Sequence, residues 1–254
     1  MVFDLLPPAT LALALLIAFL AGFVKGAVGF AMPLVMISGL SVIMDPRLAL
    51  AGLVVPTVAS NLLQVARAGK AEAVAAIRGF WRFILAVCVM VFISAQLVTA
   101  IPPQAMYLAL GIPVLAMTLL LLSGLRFSIP ARARLAADIG IGGLAGAIGG
   151  ISGVWGPPTV LYLLALDTPK ARQMAVQGVV YGLGAVVLLV GHLRSGVLNA
   201  ETLPFSILLL LPAGLGMWVG FQTGDRLDAA RFRRWTLVVL TVAGANLIRR
   251  GLMG

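Results

Sequence analysis

Lys25 stands where a lysine is costly. It lies in Ala21–Pro33, "AGFVKGAVGFAMP", inside an apolar run from Pro8 to near Met44. A charge held in hydrocarbon costs roughly 2.5–3.5 kcal/mol on insertion scales, and glycine and proline weaken a helix. A similar grouping recurs at Ala145–Pro157, "AGAIGGISGVWGP". Proline is favoured in the first turn of a helix, where its missing N–H costs little, so Pro33 and Pro157 are expected to start helices inside these runs. Each such N-terminus carries roughly +0.5 of a charge and several unpaired N–H groups. Gly26 and Gly29, and again Gly150 and Gly153, would let irregular backbone turn and approach a ligand closely. Two positive helix ends and Lys25 aimed at one volume would favour an anion. The plainer reading has Lys25 snorkel to an interface or pair with a carboxylate. The eight Asp and Glu lie mostly near the ends of apolar runs, so an internal partner is hard to find.

Polar side chains on neighbouring runs are the next candidates. Thr57, Ser60, Asn61 and Gln64 recur at helical spacing on one face. Gln173, Gln177 and Tyr181 follow at i, i+4 and i+8, and His192, eleven residues on, returns close to the same face. Amides and hydroxyls can donate to an oxyanion without adding fixed charge. The same residues could equally make the interhelical hydrogen bonds common in membrane helices. Trp155, between the turn and Pro157, could wall a cavity or simply pack. A different chemistry also has to be weighed. "GISG" at Gly150–Gly153 fits the Gly-x-Ser-Gly pattern of rhomboid-type intramembrane serine proteases, with His192 as base to Ser152. Against it, the matching position in the first stretch is Val28, so the serine is optional to the turn.

These residues must be positioned by membrane helices. The chain is 61% hydrophobic and only 10% charged, against about 25% charged in soluble domains. Several apolar runs exceed the ~18 residues that suggest a bilayer span. The net charge of +10 carries no basic stripe interleaved with aromatics, which argues against nucleic acid; Lys and Arg cluster between runs, as topology signals do. The lone Cys88 allows neither an intrachain disulfide nor a cysteine metal cluster. No cofactor or metal is expected, and the lack of a Walker motif argues against ATP-driven transport by this chain alone. No Lys or Arg precedes the first run, which argues against a cleaved signal peptide.

The two stretches mark a repeat. Ala21, Gly22, Gly26, Gly29 and Pro33 fall on Ala145, Gly146, Gly150, Gly153 and Pro157, and "MDPRLA" answers "LDTPKA" after small shifts. Each half continues with three apolar runs, roughly 48–66, 80–100 and 104–123, then 171–193, 203–222 and 235–248. Residues 1–125 and 126–254 are therefore expected to be two transmembrane repeats. Charge orients them. If each broken run crosses once, Lys170, Arg172, Arg226, Arg231, Arg233 and Arg234 fall opposite Arg67, Lys70, Arg78, Arg82, Arg126, Arg132 and Arg134. If each enters and returns as a hairpin, both groups share one face, leaving only Arg47, Arg194, Arg249 and Arg250 on the other. The positive-inside rule favours the hairpins, which make the halves opposite in orientation. The helix after Pro33 would be about 12 residues, or ~18 Å, well short of a ~30 Å core. A continuous but kinked helix remains the alternative. The expected fold is an all-α polytopic membrane protein of two inverted structural repeats. Each has a Gly/Pro-broken, re-entrant-like helix followed by three transmembrane helices.

At these residues the chain resembles the sulfite exporter TauE/SafE family of membrane transporters. The resemblance rests on "GFVKGAVGFAMPLVMISGL" with "DPRLALAGLVVPTVASNLLQ", and again on "GGLAGAIGGISGVWGPPTVLYLLALDTPKARQMAVQGVVYG". It implies a secondary transporter of sulfite, organosulfonates or related small organic acids, often in the export direction. It also implies that Gly26, Gly29, Pro33, Gly150, Gly153 and Pro157 form the site's architecture. The expectation is a non-enzyme of the inner membrane that holds a small anion at the half-helix N-termini and Lys25, and works by alternating access. A passive anion channel and the Ser152/His192 protease are the other readings. Expected partners are the small anion and membrane lipid, without nucleic acid; a homodimer is left open.

Overall fold

A computed structural model describes residues 6–29, 31–124, 128–224 and 228–253. Arg126, Arg226 and the 125/126 repeat boundary lie outside the described residues, as do the side chains of Val28, Lys170 and Arg233. Among the described residues ten α-helices follow one another: α1 (Pro8–Val28), α2 (Met32–Ile43), α3 (Pro46–Ala68), α4 (Lys70–Leu97), α5 (Pro103–Ser123), α6 (Arg134–Ser152), α7 (Gly156–Ala165), α8 (Lys170–Ser195), α9 (Leu203–Gly224) and α10 (Ala229–Met253). All but α2 and α7 are long and apolar enough to cross a membrane.

Local chemistry sets the boundaries. The Asp45 carboxylate caps α3, accepting from the N–H groups of Arg47 (2.8 Å) and Leu48 (3.4 Å), with Pro46 at the first position. Pro56, inside α3, has no N–H to offer the Gly52 carbonyl four residues back. The Ser206 hydroxyl of α9 donates to that carbonyl instead at 3.1 Å, and accepts from the Val55 N–H at 3.1 Å. α4 is bent at Phe80 (φ −132°, ψ 17°), near the expected start of its apolar span. The ten residues before the bend carry Lys70, Glu72 and Arg78.

The broken runs fold back on themselves. Gly39 of α2 packs against Ile17 of α1, so α2 returns alongside the helix that precedes it. In the second half Tyr162 of α7 donates to Asp138 near the start of α6, so α7 likewise returns. Both breaks are therefore hairpins. α2 and α7, at 12 and 10 residues, match the short lengths expected after Pro33 and Pro157.

Helix directions follow from which residues touch. α9 runs parallel to α1, with Gly22 on Ala213 and Gly26 on Met217, and parallel to α3, with Gly52 on Phe205 and Arg67 on Phe221. α4 runs parallel to α6, with Gly146 on Val87 and Gly150 on Val91, and parallel to α8, with Gly79 beside Arg172 and Gly191 beside Ala95. α3 and α8 are antiparallel, bringing Asn61 to Tyr181 and Gln64 to Gly178. α5 and α10 pair antiparallel, with Gly111 on Ile248 and Gly251 on Leu108. The chain thus reverses at every junction. Its close packing also crosses the sequence halves: α9 joins α1–α3, and α4 joins α6–α8.

Candidate functional site

Lys25 is the centre of the site. Three residues short of the end of α1, it is only 3% exposed. Its ammonium donates to Ser60 Oγ at 3.0 Å and to Asn61 Oδ1, both on α3. An ammonium has three N–H donors, and no described Asp or Glu pairs with it. Among the described residues its charge is held by neutral oxygens. Asn61 Nδ2 in turn donates to the Tyr181 carbonyl of α8 at 3.2 Å, and the Tyr181 hydroxyl to the Gly156 carbonyl at the head of α7, also at 3.2 Å.

The two helix breaks meet at this lysine. Gly29 (φ 83°) closes α1 with its N–H on the Lys25 carbonyl at 2.8 Å; Gly153 (φ 74°) closes α6 on Gly149 at 2.7 Å. Ala31, ahead of α2, also has a positive φ, 77°, a strained choice for a residue with a Cβ. Lys25, Ala31, Pro33, Asn61, Trp155 and Pro157 are among the residues enclosing a cavity of about 30 Å³. That is room for about two waters, at roughly 10–15 Å³ each. Prolines thin the donor set: Pro33 leaves the N–H groups of Met32 and Leu34 in the first turn of α2. Pro157 and Pro158 leave only Gly156 in that of α7. The helix ends supply fewer N–H groups than the spacing suggested, so the lysine weighs more.

A second, wider cavity of about 840 Å³ begins at Lys25, Gly29 and Ser60 and opens past Gln64, Arg67, Glu72 and Arg172. One wall comes from α1, α3 and α9, through Met217 and Phe221. The other comes from α4 and α8, through Ala75, Met174 and Ala175. Gln64 lines this vestibule with a buried Oε1 that has no hydrogen-bond partner.

The family model of the sulfite exporter TauE/SafE matches residues 14–247 of the 254. The chain belongs to this family. TauE/SafE proteins are multi-pass membrane transporters of sulfite or related anions, not enzymes. No curated protein and no solved structure matches the chain. The matched region runs from α1 into α10 and takes in both broken hairpins.

Not every residue singled out from the TauE/SafE-like motifs reaches the cavities. Lys25, Pro33, Asn61, Gly153, Trp155, Pro157 and Tyr181 line the inner one, while Gly29 and Gln64 line the vestibule. Gly26 and Gly150 need correcting, because both sit inside helices rather than in the turns. A Cβ on Gly26 would strike the Met217 carbonyl of α9, and one on Gly150 the Val91 carbonyl and Ser94 Oγ of α4. They let helices approach closely. Ser152 spends its hydroxyl locally, donating to the Ile148 carbonyl at 2.7 Å and accepting from the Val154 N–H at 3.1 Å. His192 faces Ser195 Oγ at 3.4 Å through Nδ1 and lies against the Gly150 backbone. No Ser152–His192 pair forms, which removes the geometric ground for a protease. His192 and the half-buried Gln177 line neither cavity. Trp155 is wedged between Gly149 and Gly184, so it walls the cavity and packs at once.

Sequence reading missed Ala31, whose conformation no motif announces, and Asp138. Asp138 is 4% exposed near the start of α6, and takes Arg134 Nε at 2.9 Å and the Tyr162 hydroxyl. Its position near the end of an apolar run hid it.

Proposed function

We propose that this TauE/SafE protein is a secondary transporter that exports a small anion, such as sulfite, an organosulfonate or a related organic acid, by alternating access. The observation that carries the proposal is Lys25. It is a buried ammonium that no described carboxylate pairs with, where an open vestibule meets the paired starts of two short helices. An anion there would take the lysine's third N–H, and the Met32, Leu34 and Gly156 N–H groups would surround its remaining oxygens. Asn61, Ser60 and Gln64 stand ready to exchange hydrogen bonds with it.

Five segments per half, with a reversal at every junction, make an inverted repeat the natural description. The glycines on α1 and α6 pack against α9 and α4 in matching fashion, which supports duplication. The vestibule opens between Arg67 at the end of α3 and Arg172 at the start of α8. By the positive-inside rule that arginine-rich face is cytoplasmic, so the conformation is open to the cytoplasm, as an exporter needs for loading. The moving units are then α1–α3 with α9 against α4 with α6–α8, rather than residues 1–125 against 126–254. Each unit supplies one wall of the vestibule, so rocking one on the other would close it.

The test is uptake of labelled sulfite and a short-chain sulfonate into liposomes holding wild type or Lys25→Ala. Saturable uptake lost in the variant is the expected result. Flux that rises linearly with concentration would mean a channel, and an unaffected variant would sink the role of Lys25.

A further inference from the structure

We infer that the cytoplasmic rim holds a second, outer anion site, built by Arg172 and Arg134 around the bend of α4, which captures the anion before it passes to Lys25. The inference rests on the transport reading above but stands on different residues. At the bend, Gly79 and Phe80 face the start of α6 and the α7–α8 junction across a cavity of about 220 Å³. Two guanidinium groups converge there. Arg134 lies over the Phe80 ring, 5.1 Å from its centroid, with Nη2 3.4 Å from the Gly79 carbonyl. Arg172 lies 5.8 Å from the same centroid. A Cβ on Gly79 would come within 3.0 Å of Arg172 Nη2, so the absence of a side chain there leaves the space the guanidinium uses.

The two guanidinium groups of this cavity are paired unequally. Asp138 neutralises Arg134, but no described carboxylate pairs with Arg172. Asp167 is on the same wall, exposed and beyond ion-pair distance of both guanidinium groups. A planar guanidinium offers paired N–H donors that suit the oxygens of an oxyanion. Arg172 also lines the vestibule that ends at Lys25, so one side chain borders both compartments. An anion bound outside therefore has a charged step inward. The same chemistry would accept a free oxyanion or the phosphate of an anionic lipid at the interface.

Equilibrium dialysis of labelled sulfite against the purified protein tests this without needing transport. Wild type should bind at two sites, Lys25→Ala and Arg172→Gln at one each, and the double variant at none. Arg172 is exposed, so Arg172→Gln should keep its melting temperature, and Gly79→Val should weaken the outer site while leaving every charge in place. In liposomes Arg172→Gln should raise KM about tenfold, the scale of one lost hydrogen bond to a charge, with kcat unchanged. Two sites retained in Arg172→Gln, or a lowered kcat at unchanged KM, would overturn the outer site alone. Loss in Arg172→Gln with no change in Lys25→Ala would instead overturn the Lys25 reading and leave the outer site standing. Adding phosphatidylglycerol to phosphatidylcholine vesicles separates the sources. Displacement of sulfite from the Arg172 site would show that lipid phosphate shares it, and no displacement that it serves the free anion.

Discussion

At the scale of single residues, Lys25 allows function and stability to be separated. Its ammonium is desolvated and, among the described residues, hydrogen-bonds only Ser60 Oγ and Asn61 Oδ1, so the fold gains little from it. Lys25→Met keeps the length and removes the charge. It should leave the melting temperature unchanged or raised in detergent, while abolishing sulfite binding at the inner site. A melting temperature lowered by several degrees would make the lysine a structural anchor instead. Ala31 makes the complementary case. Its φ of 77° costs about 1–3 kcal/mol in a residue with a Cβ, and the surrounding fold must hold it there. Ala31→Gly should relieve that strain, so thermal unfolding should come later by a few degrees. If the strain sets the aim of the α2 N-terminus, sulfite affinity should fall at the same time. Unchanged stability would mean that the left-handed conformation at Ala31 is not strained.

At the scale of elements, glycine has two uses that sequence does not distinguish. Gly29 and Gly153 make left-handed turns, whereas Gly26, Gly146 and Gly150 bring helices together. Gly140, on the same helix as Gly146, has open space where its Cβ would be. Gly146→Ala should therefore destabilise by about 1–3 kcal/mol, because its Cβ would meet the Val87 carbonyl. Gly140→Ala should be neutral or stabilise by up to about 1 kcal/mol, through helix propensity alone. Equal effects in thermal denaturation would mean that the α4–α6 contact is looser than described. The broken hairpins were legible because proline, glycine and a charge together contradict a plain span. The reach of α8 was not. Helical spacing puts Gln177, Tyr181 and His192 near one face but says nothing of depth. His192 lies eleven residues beyond Tyr181, or ~16 Å along the helix, and that carries it past the cavity. The rim cluster was hidden for a related reason: Gly79, Arg134 and Arg172 belong to three helices that meet only in the folded chain.

At the scale of the whole molecule, the vestibule walls belong to different packing units, and that gives alternating access a measurable form. Gln64, Arg67 and Phe221 lie on one wall, and Ala75, Arg172 and Ala175 face them from the other. Leu53, seven residues before Ser60 on α3, is fully buried against Gly153, and Trp155 packs on Gly184. Rocking of α4 and α6–α8 against α1–α3 and α9 would bring the vestibule walls together and separate Gly153 from Leu53. A cysteine at position 64, in a Cys88→Ser background, should react with a membrane-impermeant thiol reagent from the arginine-rich face and not from the other. A cysteine at position 53 should be unreactive from both faces at rest. With sulfite cycling, labelling at 64 should slow, and labelling at 53 should appear from the face opposite the arginines. Ligand shifts the balance between states only through its different affinity for each, so the two changes must share one concentration dependence. Slowing at 64 with no gain at 53, at any sulfite concentration, would mean that the anion merely blocks an open vestibule. Rocking between the two packing units would then be the wrong motion for this protein.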